Sequence, residues 1–281
     1  SSSGSTVDVT SSSLSDGTYY FYGKTIDAAG NSSGCSSANV TYVLDTSSPS
    51  DPSGLSLVSP GSSPGNDTTP TIRVRGISSG DTVTVYSDSS CSTSKGSGTS
   101  TGSTIDITTS TLSAGSYTFY AKTVDAAGNA SPCSTANVAY VLDTTAPSIP
   151  SGLALNSPSS SPGNDTTPTI RVSGVTSGDT ISLYSDSSCS TQKASASSSG
   201  STIDLTSSAL SEGSYTFYAK AADPAGNSSN CSSANVSYVL DTTAPSAPSG
   251  LAINSPTWSP ASDSTPTIRV SGVSSGDTVT V

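Results

Sequence analysis

The chain has 281 residues, a formal net charge of −11, no histidine, no methionine and one tryptophan. Nine basic residues over this length argue against a nucleic-acid binder, which needs clustered Lys and Arg, and no apolar run reaches the roughly 18 residues of a membrane helix. Hydrophobic residues make up 31% and charged residues only 10%, so the signature of disorder, low hydrophobicity with high charge, is half missing.

Taken in order, the chain repeats itself, and the period decides the fold. Its first 45 residues carry "LSDGTY" (14–19), "CSSAN" (from Cys35) and "YVLDT" (from Tyr42). The same words return 98 residues later at Leu112, Cys133 and Tyr140, and again at Leu210, Cys231 and Tyr238, without insertion or deletion. This predicts two complete repeats, 46–143 and 144–241. Residues 1–45 read as the C-terminal part of a further repeat and 242–281 as the N-terminal part of another. The absence of an initiator Met and of a signal peptide suggests a piece of something longer.

Within 46–143, alternating β-branched residues predict strands at 54–59, 71–76, 81–87, 103–109, 116–124 and 136–143, with a weak Ser/Gly-rich return strand after the hairpin around Cys91. The pattern places Ile72, Val74, Val83, Val85, Ile105 and Ile107 inward, with Arg73 and Arg75 outward. No helix of useful length is predicted. Seven such strands make an all-β antiparallel sandwich. The Leu, Gly and Tyr of "LSAGSY" (112–117) have the spacing of a tyrosine corner, in which the ring is buried and the hydroxyl bonds back to the preceding turn. The expectation is therefore a rod-like tandem array of immunoglobulin-like domains.

The segments "DAAGN" (125–129), "LDTTAPSIPSGLAL" (142–155) and "GNDTTPTI" (163–170) resemble the bacterial Ig-like repeats of giant extracellular adhesins and related surface proteins. The resemblance covers the whole chain. It implies an exported fibre, filament or adhesin stalk at the cell surface. Its partners would be neighbouring repeats or identical chains joined head to tail, with a host or surface ligand as a further candidate. It implies neither nucleic-acid binding nor membrane insertion in this segment.

Chemistry is hard to place on this sequence. Without His there is no Ser–His or Cys–His nucleophile pair and no imidazole ligand, and the acids recur identically in each copy, so the chain is not expected to be an enzyme. If tandem linkage sets the bottom of one domain on the top of the next, three acidic clusters form. One has Asp45, Asp81, Asp125 and Asn129; the next has Asp67, Asp143, Asp179, Asp223 and Asn227; the last has Asp165, Asp241 and Asp277. Such oxygens suit Ca²⁺, and adhesin repeats of similar sequence bind it at domain junctions. The alternative is that these residues build Asx turns. Trp258 stands where the other copies have Ser62 and Ser160, and is either a loop aromatic packed on a neighbour or a ligand contact.

Each repeat carries one cysteine in the hairpin (Cys91, Cys189) and one between the last two strands (Cys35, Cys133, Cys231). Regular pairs in an exported chain of small domains argue for disulfides. Pairing Cys91 with Cys133 and Cys189 with Cys231 satisfies the counting. The expected strand order, however, puts these loops at opposite ends of a sandwich, too far for the roughly 7 Å a disulfide allows between Cα atoms. The expectation is therefore a bond between domains, Cys91–Cys231, with Cys35, Cys133 and Cys189 partnered elsewhere; intradomain bonds and free thiols are the alternatives.

Overall fold

A computed structural model describes residues 4–281, and every regular element in it is a β-strand. Strands β1 (Gly17–Phe21) and β2 (Val40–Leu44) pair antiparallel in the first segment. The first complete domain has β3 (Gly54–Ser59), β4 (Thr71–Arg75), β5 (Thr82–Tyr86), β6 (Ser94–Thr99), β7 (Thr104–Thr108), β8 (Gly115–Val124) and β9 (Val138–Leu142). The second has β10 (Gly152–Ser157), β11 (Thr169–Ser173), β12 (Thr180–Tyr184), β13 (Gln192–Ser197), β14 (Thr202–Thr206), β15 (Gly213–Ala222) and β16 (Val236–Leu240). The last segment pairs β17 (Gly250–Ser255) with β18 (Thr267–Ser271). Two compact units result. One runs to Ala146 and includes Ala222–Ser228; the other holds Pro147–Ala221 and the residues from Ser229 onward.

Each complete domain is a sandwich of a three-stranded sheet and a four-stranded sheet, in the orders β3-β4-β7 and β6-β5-β8-β9, repeated as β10-β11-β14 and β13-β12-β15-β16. The alternation read from the sequence is the alternation of burial. Ile72 and Val74 on β4, Val83 and Val85 on β5, and Phe119 and Ala121 on β8 are all fully buried. Each large apolar side chain so buried contributes roughly 1.5–3 kcal/mol. Outward-facing Arg73 donates Nε and Nη2 to the two carboxylate oxygens of Asp106, both at 2.7 Å, across the β4–β7 ladder.

The tyrosine corner is present in both domains: the hydroxyls of Tyr117 and Tyr215 donate to the carbonyls of Ser113 and Ser211 at 2.8 Å. A second tyrosine holds the two sheets together. After β3 the chain leaves the three-stranded sheet and crosses to the other, where Gly65 forms a parallel bridge with Leu142. At that crossing the buried Tyr140 donates its hydroxyl to the Asp67 carbonyl at 2.8 Å. A Cβ on Gly65 would lie 2.6 Å from Pro60 and 3.1 Å from that hydroxyl, so the close approach requires glycine.

Candidate functional site

Two features of the chain bear on what it does: the cysteine staple within each domain and the turn that meets the linker entering it. The staple begins in the hairpin between β5 and β6. Asp88 accepts hydrogen bonds from the amides of Ser90 (3.1 Å), Ser92 (3.0 Å) and Thr93 (2.7 Å) and from the Ser90 hydroxyl (2.6 Å). These donors, the Ser90 hydroxyl foremost, hold its carboxyl well below the usual 3.8. The serines of "YSDSSCSTSK" thus fold the loop around one carboxylate. Cys91 sits at its tip in the left-handed region, with φ of 52°.

Cys91 bonds to Cys133, and Cys189 to Cys231, each pair with Cα atoms 5.8 Å apart. The expected Cys91–Cys231 bond between domains is therefore not the one formed, and Cys133 and Cys189 find their partners within their own domains. The expectation failed on the path of the chain between β8 and β9. Only the tight turn 125–129 lies at the end of the sandwich; residues 130–137 then fold back along β8. Ser131 donates its amide to the Thr123 carbonyl and Ser134 donates its own to Ala121, both at 2.9 Å. This descent carries Cys133 level with Ala121, which is opposite Val85 in the β5–β8 ladder, one residue before β5 ends in the hairpin. Cys35 is free and exposed.

The descending segment is held by serine side chains in place of a full backbone ladder. Ser134 Oγ accepts from the Ala121 amide (2.9 Å) and donates to the Ala136 carbonyl (2.7 Å). Ser131 Oγ does the same for Thr123 (3.0 Å) and Pro132 (2.7 Å). Ser229 and Ser232 repeat the arrangement in the second domain. All four are buried. Sequence reasoning missed them because they sit among many exposed serines; only their recurrence beside the cysteine marks them. Ser134→Ala leaves the Ala121 amide buried with no acceptor and is expected to destabilise the first domain by about 1–3 kcal/mol. Urea denaturation of the full chain, resolving the two domains, checks this.

At the end of the sandwich, Asp125 organises the turn 125–129. Its carboxylate accepts from the amides of Ala127 (2.9 Å) and Asn129 (2.8 Å) and from Asn129 Nδ2 (3.0 Å). The Asn129 side chain is the main cause of the lowered pKa of Asp125. Asn129 Nδ2 also donates to the Asp45 carbonyl at 3.0 Å, where β2 gives way to the linker. The equivalent turn, Ala222–Ser228, belongs with the first compact unit. There Asn227 bonds Asp223 (3.0 Å) and reaches the Asp143 carbonyl at 2.8 Å. The linker is also held from behind: Asp16 accepts from the Thr46 and Ser47 hydroxyls, and Glu212 from those of Thr242 and Thr243.

The remaining acids of the three expected clusters serve their own turns. Asp45 accepts from the Ser47 amide, Asp67 from Thr69, Asp81 from Ser78, Asp143 from Thr145, Asp165 from Thr167, Asp241 from Thr243 and Asp277 from Ser274. Asp179 is buried in the second unit. Asp45, Asp81 and Asp125 line one shallow depression. Among the described residues, however, no three acidic, Cys or His side chains converge as a metal site. The arrangement is that of Asx turns capping backbone amides. Trp258 is 67% exposed on the loop between β17 and β18.

A model of the bacterial Ig-like domain matches residues 60–144 and 152–242. The chain belongs to the bacterial Ig-like domain family. Solved structures similar to these Ig-like domains include the chicken CNTN1 FN1-FN3 domains, at 16% identity and a TM-score of 0.44 over 79% of this chain and 77% of that one. The fibronectin(III)-like modules of Clostridium thermocellum CbhA are also 16% identical, with a TM-score of 0.38 over 66% of this chain and 94% of that one. The BSP domain of a biofilm associated protein is 14% identical, with a TM-score of 0.24 over 68% of this chain and 30% of that one. No curated protein matches the sequence.

Proposed function

We propose that this chain is a structural segment of an extracellular bacterial surface fibre or adhesin stalk, not an enzyme. The observation that carries this reading is the clasp between turn and linker, found twice: Asn129 on the Asp45 carbonyl and Asn227 on the Asp143 carbonyl. In each case the end turn of one Ig-like domain is tied to the backbone leaving the repeat before it, so the linker is anchored and not a loose tether. The prolines that follow, Pro49 and Pro52, then Pro147 and Pro150, further restrict it. Two disulfides inside small domains suit an oxidising, extracellular setting. Antibodies raised against the chain should decorate filamentous material outside intact cells in immunogold microscopy, whereas label confined to the cytoplasm overturns the proposal.

Trp258 favours a second reading, a ligand-binding adhesin region, because it is exposed and breaks the symmetry of the repeats. Binding to a glycan array that is lost in Trp258→Ala would put that reading first.

A further inference from the structure

Tension on a tandem array enters a complete domain through the linker ahead of β3 and leaves through the linker after β9. Between those two points, residues 63–67 meet β9 in a parallel pairing. The Gly65 amide donates to the Val141 carbonyl and the Asp143 amide to the Gly65 carbonyl, both at 3.0 Å. Ser63 Oγ accepts from the Val141 amide at 2.8 Å, and the Tyr140 hydroxyl adds its bond to the Asp67 carbonyl. The second domain repeats all four bonds around Gly163, Ser161 and Tyr238. Direction decides how such a pairing responds to load. Parallel strands, one on the entering chain and one on the leaving chain, are drawn in opposite senses along their own axes. Every bond between them stretches at once, and they must break together. An antiparallel pair of the same strands would be drawn apart at one end and open bond by bond. Gly65 and Leu142 are also buried, so water has little access to replace the bonds as they stretch.

Once that pairing gives, tension meets the staple. It passes from Cys91 to Cys133 through the two sulfur atoms, so residues 92–132, with β6, β7 and β8, lie in a closed loop that bears none of it. Cys189 and Cys231 shield β13, β14 and β15 in the same way. The bond spans 5.8 Å between Cα atoms, whereas the separation of 42 residues that it bridges would extend to about 140 Å at roughly 3.3–3.6 Å per residue.

We propose that each complete domain is built to carry tension in two stages. The parallel pairing with the last strand is a shear clamp that sets the load at which the domain yields, and the disulfide is a stop that limits how far it then lengthens. The proposal rests on the stalk reading, which supplies the tension. The two fail separately: cytoplasmic antibody label sinks the stalk reading alone, and the pulling results below bear only on the clamp and the stop.

The test is to pull the full chain between its ends in optical tweezers. Each complete domain should yield in one abrupt step. Dithiothreitol added while a yielded domain is held under load should release about 140 Å more. In a chain carrying Cys189→Ser and Cys231→Ser, only the first domain gives this second release, which identifies its step. In that background, Ser63→Ala combined with Tyr140→Phe should speed yielding of the first domain at constant load at least tenfold. Ile107→Val weakens the core inside the shielded loop. If yielding begins at the clamp, contacts in the loop are still intact at the barrier, so this variant should leave the rate within about twofold, although it lowers stability in urea. Yielding speeded as much by Ile107→Val as by the clamp variant overturns the clamp. No further release on reduction overturns the stop.

Discussion

Replacing both Cys91 and Cys133 with serine is expected to lower the stability of the first complete domain by about 4 kcal/mol while leaving the second unchanged. The bond closes a sequence separation of 42 residues, and restricting an unfolded loop of that length corresponds to about 4 kcal/mol in the chain-entropy description. A domain of this size has a total stability of only about 5–15 kcal/mol, so the loss is a large share of it. Two local features increase the loss. Cys91 occupies the left-handed region, a conformation a non-glycine residue rarely holds without an external constraint. The segment 130–137, which the bond ties down, has no strand structure of its own. In a thermal melt of the full chain, the domains should therefore separate into two transitions, with only the first moved down, by tens of degrees at about 4–8 °C per kcal/mol. A single joint transition at the original temperature would show that the staple does not hold the domain. The matching pair of substitutions at Cys189 and Cys231 should move the other transition.

The strands and the apolar face were legible from spacing alone because β-branched residues alternate wherever one face is buried. "TIRVR" and "TVTVY" could fold only one way round, with Ile72, Val74, Val83 and Val85 inward. Tyr117 was legible because its Leu and Gly companions fix a turn geometry. What could not be read was the route of chain without alternation. "NASPCSTAN" carries no period, and its position along β8 depends on Ser131 and Ser134 acting as surrogate backbone acceptors. In a sequence so rich in serine, nothing distinguishes a buried Ser from an exposed one. That gap produced the wrong disulfide, since a segment assumed to stand at the end of the sandwich instead runs back down its side. Asp125, Asp143 and Asp223 do come near the linkers, but their oxygens are turned toward amides of their own turns.

Tyr140→Ala should be among the most damaging single substitutions in the first domain, at about 3–5 kcal/mol for loss of a fully buried ring. The size of the effect follows from where the ring sits. Tyr140 lies on β9, packed in the core with Ile72, Phe119 and Leu142, and its hydroxyl ends on the Asp67 carbonyl where the chain passes from one sheet to the other. Burial raises its pKa, so the phenol stays protonated and remains a donor. Tyr140→Phe separates the two contributions. It keeps the ring and removes the bond, leaving the Asp67 carbonyl without that donor, and should cost about 0.5–1.5 kcal/mol. Comparing the two variants by urea denaturation of the full chain gives the ring its share by difference, and Tyr238→Ala should reproduce the larger value in the second domain. If Tyr140→Phe were as damaging as Tyr140→Ala, the hydrogen bond at the crossing, and not core packing, would be what joins the two sheets. If neither variant moved the first transition, the crossing at Gly65 would be held by its backbone pairing with β9 alone.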